Sequence, residues 1–216
     1  MVWSKDKDKE RSYHHGNLRE ALMRAALTLI QQKGPHGFSF AEAARAAGVS
    51  AAAPYRHFRG LDELLADVAR QGFEKLELAL TMAWQDGQPH PFAAFERVGK
   101  AYLEFARKEP AYYAAMFEAG LPPDLDADLR LAADRTFAVL RAAAEALSQR
   151  LPKDRRPPAL MMSLHIWGLT HGIASLFGRG DRGRRKLPMT PEELLEAGIL
   201  IYLQGLGIDW PADEET

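Results

Sequence analysis

The sequence of 216 residues predicts an all-α protein, and three observations support this prediction. Apolar residues recur at the 3.6-residue spacing of helices, and clusters of glycine and proline separate the periodic segments. Helix-start signals also recur, as in Thr190-Pro191-Glu192-Glu193, where threonine can cap the helix and proline takes its first position. No segment alternates as a strand would, and we predict about nine helices.

The first predicted elements are a tail and a helix. Residues 1–12 form a mixed-charge segment that we expect to be disordered. Asn17, followed by Glu20, resembles a capping box, so we expect the first helix to begin there. Its apolar face runs to about Lys33, and the Gly-Pro-His-Gly sequence at 34–37 ends it.

Residues 38–58 predict two short helices joined by a tight turn. Ser39 can cap the second predicted helix and Ser50 the third. Gly48 suits a turn position with positive φ. Pro54 lies in the first turn of the third helix, where its missing N–H costs least. These elements stand in the order of a helix-turn-helix motif.

The third predicted helix carries three hydrogen-bonding side chains, Tyr55, Arg56 and His57. A helix that presents polar and basic side chains to the major groove is how this motif reads DNA. Alanine-rich helix pairs with a glycine turn also occur in proteins that bind no nucleic acid. The motif alone leaves both functions open.

The distribution of charge favours a nucleic-acid partner for the N-terminal part. The net charge of the chain is −1. Residues 1–60 hold ten Lys and Arg against five Asp and Glu, a net charge of +5, and the rest of the chain carries −6. A basic head on an acidic body suggests that only the head meets a polyanion.

The remaining sequence predicts six more helices in a larger body. The fourth helix begins near Leu61. The later helices are expected at about 92–107, 111–119, 125–150 and 159–177, with the last opening at Thr190. We therefore predict a tail (1–12), a three-helix domain with the helix-turn-helix (13–60), and a helical body (61–210).

Composition excludes several classes of protein. The chain has no cysteine, so disulfides and thiolate metal sites are excluded. His165 and His171 do not share a helix face, so no metal site is predicted. The G-x-G-x-x-G match at 178–183 follows a helix instead of a strand and lacks the dinucleotide-binding context. Because the chain shows no signal-peptide pattern and no long apolar run, we expect a cytoplasmic protein. We also expect no cofactor.

Three helices with this motif, a long fourth helix and a helical body resemble the TetR/AcrR family of transcriptional regulators. The matching residues are Gly37-Phe38-Ser39, Ala46-Ala47-Gly48-Val49-Ser50 and Tyr55-Arg56-His57-Phe58. The body is similar to the subgroup with a Trp-His-Gly ligand domain, here Trp167, His171 and Gly172. The resemblance implies a homodimer that binds a palindromic double-stranded DNA operator. Repression, relieved by a small hydrophobic ligand, is the commoner mode in this family. The alternative is a helical enzyme or a small-molecule binding protein without an operator.

The resemblance also implies a set of DNA-contacting residues. They are Ser39, Ser50, Ala51, Ala52, Ala53, Tyr55, Arg56, His57 and Arg59. The three alanines offer methyl groups to thymine but no hydrogen bond, so shape readout is expected to contribute to specificity. Many members have a lysine at the start of the fourth helix, where this chain has Leu61, and Arg59 is the candidate substitute.

Two further sets of residues are expected in the body. The candidate ligand-lining residues are Tyr102, Phe105, Tyr113, Phe117, Trp167 and His171. The candidate dimer-interface residues, on the eighth and ninth predicted helices, are Gly168, Gly172, Gly198 and Tyr202. Small residues allow helices to approach closely, either between two subunits or within one chain.

Overall fold

The computed structural model describes residues 5–122, 125–178 and 188–207, with side chains from residue 18 onward. These residues form eight α-helices and three short 3₁₀ segments, and no strand occurs among them, which confirms the all-α class. The helices are α1 (Lys5–Lys33), α2 (Phe40–Ala46), α3 (Leu61–Trp84), α4 (Pro91–Lys108), α5 (Pro110–Phe117), α6 (Ala127–Ser148), α7 (Ala159–Gly178) and α8 (Pro191–Gly205).

The third predicted helix is not an α-helix, which is why the described residues form eight helices instead of the nine predicted. A 3₁₀ segment, Ala53–Arg56, takes its place. Pro54 donates no backbone hydrogen bond, and its ring disfavours the α conformation at the preceding residue. The segment closes when the N–H of His57 donates to the Pro54 carbonyl oxygen at 2.9 Å.

Helix α1 starts earlier than the predicted capping box at Asn17. It begins at Lys5, so part of the predicted disordered tail is helical, and residues 1–4 lie outside the described chain. Residues 5–15 contain no proline or glycine, and their lysines and glutamate favour helix. The single Gly16 is tolerated within a long helix at a modest cost.

The first of two compact units comprises Met1–Phe73 and Pro110–Ala133. In it α1 packs against α2 and α5. Gly72 permits close packing of α3 on α5, since a Cβ there would lie 2.6 Å from the Met116 sulfur. The predicted division at residue 60 is one of function and remains a prediction.

The second compact unit comprises Glu74–Glu109 and Asp134–Thr216, in which α4, α7 and α8 pack together. Gly99 lets α4 approach α8, because a Cβ at this position would lie 2.8 Å from Leu195 Cδ2. Residues 179–187, which hold most of the glycine-rich stretch, lie outside the described chain.

Helix α7 is, among the described residues, the one helix long and apolar enough to cross a membrane. Its most apolar 18-residue window has a mean hydropathy of 1.2, and a third of that window (33%) is buried. Length and composition of this kind also occur in core helices of globular proteins, so the observation is weak evidence for a span.

Candidate DNA-binding surface and ligand cavity

The start of α2 is held by a reciprocal capping box. The N–H of Glu42 donates to Ser39 Oγ at 3.2 Å, and the Glu42 carboxylate accepts the Ser39 N–H at 2.8 Å. The Ser39 hydroxyl also donates to this carboxylate, so its proton is engaged within the helix start. A hydrogen bond from Lys33 is the main reason that the pKa of Glu42 is lowered to about 2.

The turn after α2 has the geometry that the sequence predicts. Gly48 has a φ of +76°, a conformation that favours glycine. Its N–H donates to the Arg45 carbonyl oxygen at 3.0 Å, and the Val49 N–H donates to that of Ala44 at 3.0 Å. Ala43 and Ala44 are fully buried, which lets neighbouring elements approach α2 closely.

The segment after the turn presents small and polar side chains to solvent. Ser50, Ala51 and Ala52 are exposed, and Ala53 is half-buried. Tyr55 is 64% exposed, and its ring meets the ring of Phe40 edge-on at 5.2 Å, which orients the hydroxyl. All nine predicted DNA-contacting residues, which include Ser39, Arg56, His57 and Arg59, are at least partly exposed. Contact with DNA itself remains a prediction.

Sequence reasoning missed a buried carboxylate beneath this surface. Asp67 of α3 is only 3% exposed and accepts hydrogen bonds from Arg19 of α1 at 2.9 Å and from Arg70 at 2.6 Å. The Arg19 guanidinium also lies over the Phe58 ring, 5.2 Å from its centre. An aspartate among the apolar residues 64–68 was the available signal. The cluster ties α1 and α3 to Phe58, which follows the 3₁₀ segment Ala53–Arg56.

The second compact unit contains a small cavity between α4, α6 and α7. It has a volume of about 20 Å³, enough for about one water molecule. Its lining residues are Phe95, Val98, Gly99, Tyr102, Leu140, Ser163, Ile166, Trp167 and Thr170. None of these is charged, and the Ser163 and Thr170 hydroxyls donate to carbonyl oxygens of their own helix.

The structure brings together three of the six predicted ligand-lining residues. Tyr102 and Trp167 line the cavity. The Tyr102 hydroxyl shares a hydrogen bond with His171 Nδ1 at 2.9 Å, and the Trp167 and His171 rings lie 5.4 Å apart. Phe105 is buried on α4 but does not line the cavity.

Tyr113 and Phe117 belong to the other compact unit. Their ring centres are 5.0 Å apart, and Phe117 also packs edge-on against Phe73 at 5.6 Å. Their apolar character is therefore accounted for by packing among aromatic rings in that unit.

Two protein-family models match this chain. One is described as bacterial regulatory proteins, tetR family, and matches residues 22–68, which contain the capping box and the turn. The other is described as tetracyclin repressor-like, C-terminal domain, and matches residues 95–201, which contain the cavity. The chain belongs to the TetR family.

Two individual proteins are similar to this chain. An uncharacterized HTH-type transcriptional regulator of Bacillus subtilis, YobS, is 28% identical over 102 residues, which are 46% of this chain and about half (51%) of that protein. A Rhodococcus protein of unknown function is 28% identical, with 91% of this chain and 98% of that one covered at a TM-score of 0.70.

The TetR-family regulator PfmR of Thermus thermophilus shares the fold. Its identity to this chain is 22%, with 83% of this chain and 96% of that one covered at a TM-score of 0.65. The family and its named members are transcriptional regulators and not enzymes, which confirms that part of the prediction. Membership of the Trp-His-Gly subgroup stays a prediction.

In this TetR-family chain, the outer faces of α7 and α8 carry exposed apolar side chains. They are Leu160, Met161, Leu164, Leu176 and Ile201. Among the described residues, a Cβ at Gly168 or Gly172 would meet no atom within 4 Å beyond its chain neighbours and the backbone of its own helix. Gly198 differs, because a Cβ there would lie 2.8 Å from Leu169 Cδ2 in a close contact within the chain. The Tyr202 hydroxyl lies 3.2 Å from His165 Nδ1.

Proposed function

We propose that this TetR-family chain is a cytoplasmic, ligand-responsive repressor that binds a palindromic operator as a homodimer. The observation that carries the operator function is the exposed surface after the Gly48 turn. There Ser50 and the alanine methyl groups stand beside Tyr55, whose ring is oriented by Phe40. Methyl groups can contact thymine methyls, and hydroxyl groups can donate to phosphates.

Selection from random DNA tests the operator function. We expect an enriched palindrome whose half-sites are separated by about 34 Å, one turn of the duplex, or a multiple of it. Tyr55→Phe keeps the ring that packs on Phe40 and removes only the hydroxyl, so it tests a phosphate contact without disturbing the fold. It and His57→Ala should weaken binding to related sequences by similar factors, because phosphate contacts position and do not specify. Failure to enrich any sequence would refute the operator function.

The homodimer is supported by the apolar faces of α7 and α8. A protein that binds two half-sites needs a fixed spacing between its two DNA-binding domains, and a twofold dimer interface supplies this spacing. Gly168→Leu adds a side chain where one chain leaves open space, so it should disrupt the dimer while the chain remains folded. Light scattering measures the oligomeric state, and circular dichroism shows whether the chain is folded. A monomeric unmodified protein at micromolar concentration would contradict this interface.

The ligand is proposed to be a small, uncharged, mostly apolar molecule that enlarges the cavity around Tyr102 and Trp167. The lining offers no charge to neutralise an ionised group, and a buried unpaired charge is costly. The cavity holds about one water, so the ligand must favour a widened conformation. To act as an inducer it must also favour the arrangement that does not bind DNA, typically by about 1–3 kcal/mol.

A thermal-shift screen with matched pairs of neutral and carboxylate-bearing apolar molecules tests the ligand class. Neutral members should raise the melting temperature and release the operator, and their charged partners should not. Tyr102→Phe should alter the response, because it removes the hydroxyl shared with His171. If every stabilising molecule left operator affinity unchanged, the inducer function would be wrong and operator binding would stand.

A further inference from the structure

Most cations of residues 18–73, the part of the DNA-binding head whose side chains are described, pair with carboxylates of the same segment. The described head contains seven arginines and lysines. Five of them form ion pairs with carboxylates of the head. The pairs and their N–O distances are Arg19–Asp67 (2.8 Å), Arg70–Asp67 (2.6 Å), Arg24–Glu20 (3.6 Å), Lys33–Glu42 (2.9 Å) and Arg59–Glu63 (3.5 Å).

Two of the partner carboxylates are held in place by the backbone. Glu42 accepts the N–H of Ser39, and Glu63 accepts the N–H of Arg59. Such a carboxylate stays beside its cation when DNA approaches. It then repels a phosphate at nearly the same distance at which the cation attracts it. Lys33 and Arg59 therefore contribute little net attraction to DNA, whereas Arg19 and Arg70 share the single carboxylate of Asp67.

Arg45 and Arg56 are the two remaining cations. Both side chains are exposed, and neither forms an ion pair with a carboxylate in the described part of the chain. Arg45 lies in the last turn of α2, and its carbonyl oxygen accepts the N–H of Gly48. Arg45 therefore lies at the turn between α2 and the 3₁₀ segment Ala53–Arg56, whereas Arg56 is the last residue of that segment.

We propose that Arg45 contacts an operator phosphate in each head, and that Arg45 and Arg56 are the two cations of residues 18–73 whose charge no paired carboxylate offsets. This inference rests on the proposed operator function. The first helix of a helix-turn-helix crosses the DNA backbone, and α2 is that helix here. A guanidinium can donate two parallel hydrogen bonds to a phosphate, and these fix the register of the protein without reading bases.

The salt dependence of operator affinity tests the role of Arg45. The operator is first selected with the unmodified protein, and the dissociation constant is then measured from 50 to 200 mM salt. Each neutralised phosphate contributes about −0.9 to the slope of log affinity against log salt, so Arg45→Gln should reduce the slope of a dimer by about 1.8. Over this fourfold range its affinity should fall about 10-fold less than that of the unmodified protein.

Arg24→Gln is the matched control, since it removes the same charge from the head at a cation already paired with Glu20. Its slope should stay close to that of the unmodified protein. Arg45→Lys keeps the charge and should restore the slope, a rescue that a purely structural role would not produce. The sequence selected by Arg45→Gln should be unchanged.

An unchanged slope in Arg45→Gln, or an equal loss in Arg24→Gln, would overturn the assignment of Arg45. An altered base preference at one operator position with an unchanged slope would show a base contact instead. Each of these three results would leave the operator function intact. A protein that selects no sequence at all would refute the operator function, and the role of Arg45 with it.

Discussion

Replacing the buried carboxylate of α3 by an amide should destabilise the DNA-binding head. Asp67→Asn keeps the shape of the side chain but removes the charge that pairs with Arg19 and Arg70. Its amide nitrogen would also turn one accepting atom into a donor that faces a guanidinium. The Arg19 guanidinium over Phe58 would lose the partner that holds it there.

The size of the effect follows from the exposure of the two arginines. Removing one partner of a fully buried ion pair costs about 3–5 kcal/mol. Here the Arg19 and Arg70 side chains are 50% and 26% exposed, so each can turn toward water after the substitution. We therefore expect a loss of about 2 kcal/mol, within the range for hydrogen bonds to charged groups, and a melting temperature about 4–8 °C lower.

Urea unfolding followed by circular dichroism, at one protein concentration, measures this loss through the midpoint at unchanged slope. Asp62→Asn is the control, because it removes an exposed carboxylate in the first turn of the same helix. It should cost about 0.5 kcal/mol through the helix dipole. Arg19→Gln and the double variant complete a cycle, and we expect a coupling energy of about 1 kcal/mol. Equal effects of Asp67→Asn and Asp62→Asn, or a coupling energy near zero, would refute the reasoning.

Two other substitutions probe contacts seen in the structure. Gly198→Leu should destabilise each chain by about 1–3 kcal/mol, because the added side chain collides with Leu169. Gly168→Leu should lower the melting temperature only through loss of the dimer, so its effect should depend on protein concentration. Melting of both variants at several concentrations decides this, and equal losses that do not depend on concentration would contradict it. The pKa of Glu42 is lowered from 4.5 to about 2, chiefly by its hydrogen bond with Lys33. The ionised Glu42 side chain therefore stabilises the folded chain above pH 4.5, and this stabilisation is lost as the pH falls toward 2. Glu42→Gln should therefore flatten the dependence of unfolding free energy on pH in this window, and parallel curves would show that Glu42 has no such role.

The start and turn of the helix-turn-helix could be predicted from sequence because their signals are local. A cap acts over three residues, as Ser39 and Glu42 do, and a turn with positive φ needs glycine at a single position, here Gly48. The start of α3 at Leu61 also agrees with the predicted start of the fourth helix. The prediction of an α-helix for the third element was wrong for a local reason, because Pro54 restricts the residue before it as well as itself.

Relations between distant residues were decided by tertiary structure. Periodicity shows that one face of a helix is buried but not which element covers it. Six aromatic and histidine residues therefore formed one candidate set in sequence. In the structure Tyr102, Trp167 and His171 meet at the cavity, whereas Tyr113 and Phe117 meet in the other compact unit. The ion pair between Arg19 and Asp67 likewise joins residues far apart in the chain. The net charge of the head is a sum over its sequence, but how much of that charge stays available to DNA depends on which cations the fold places beside carboxylates.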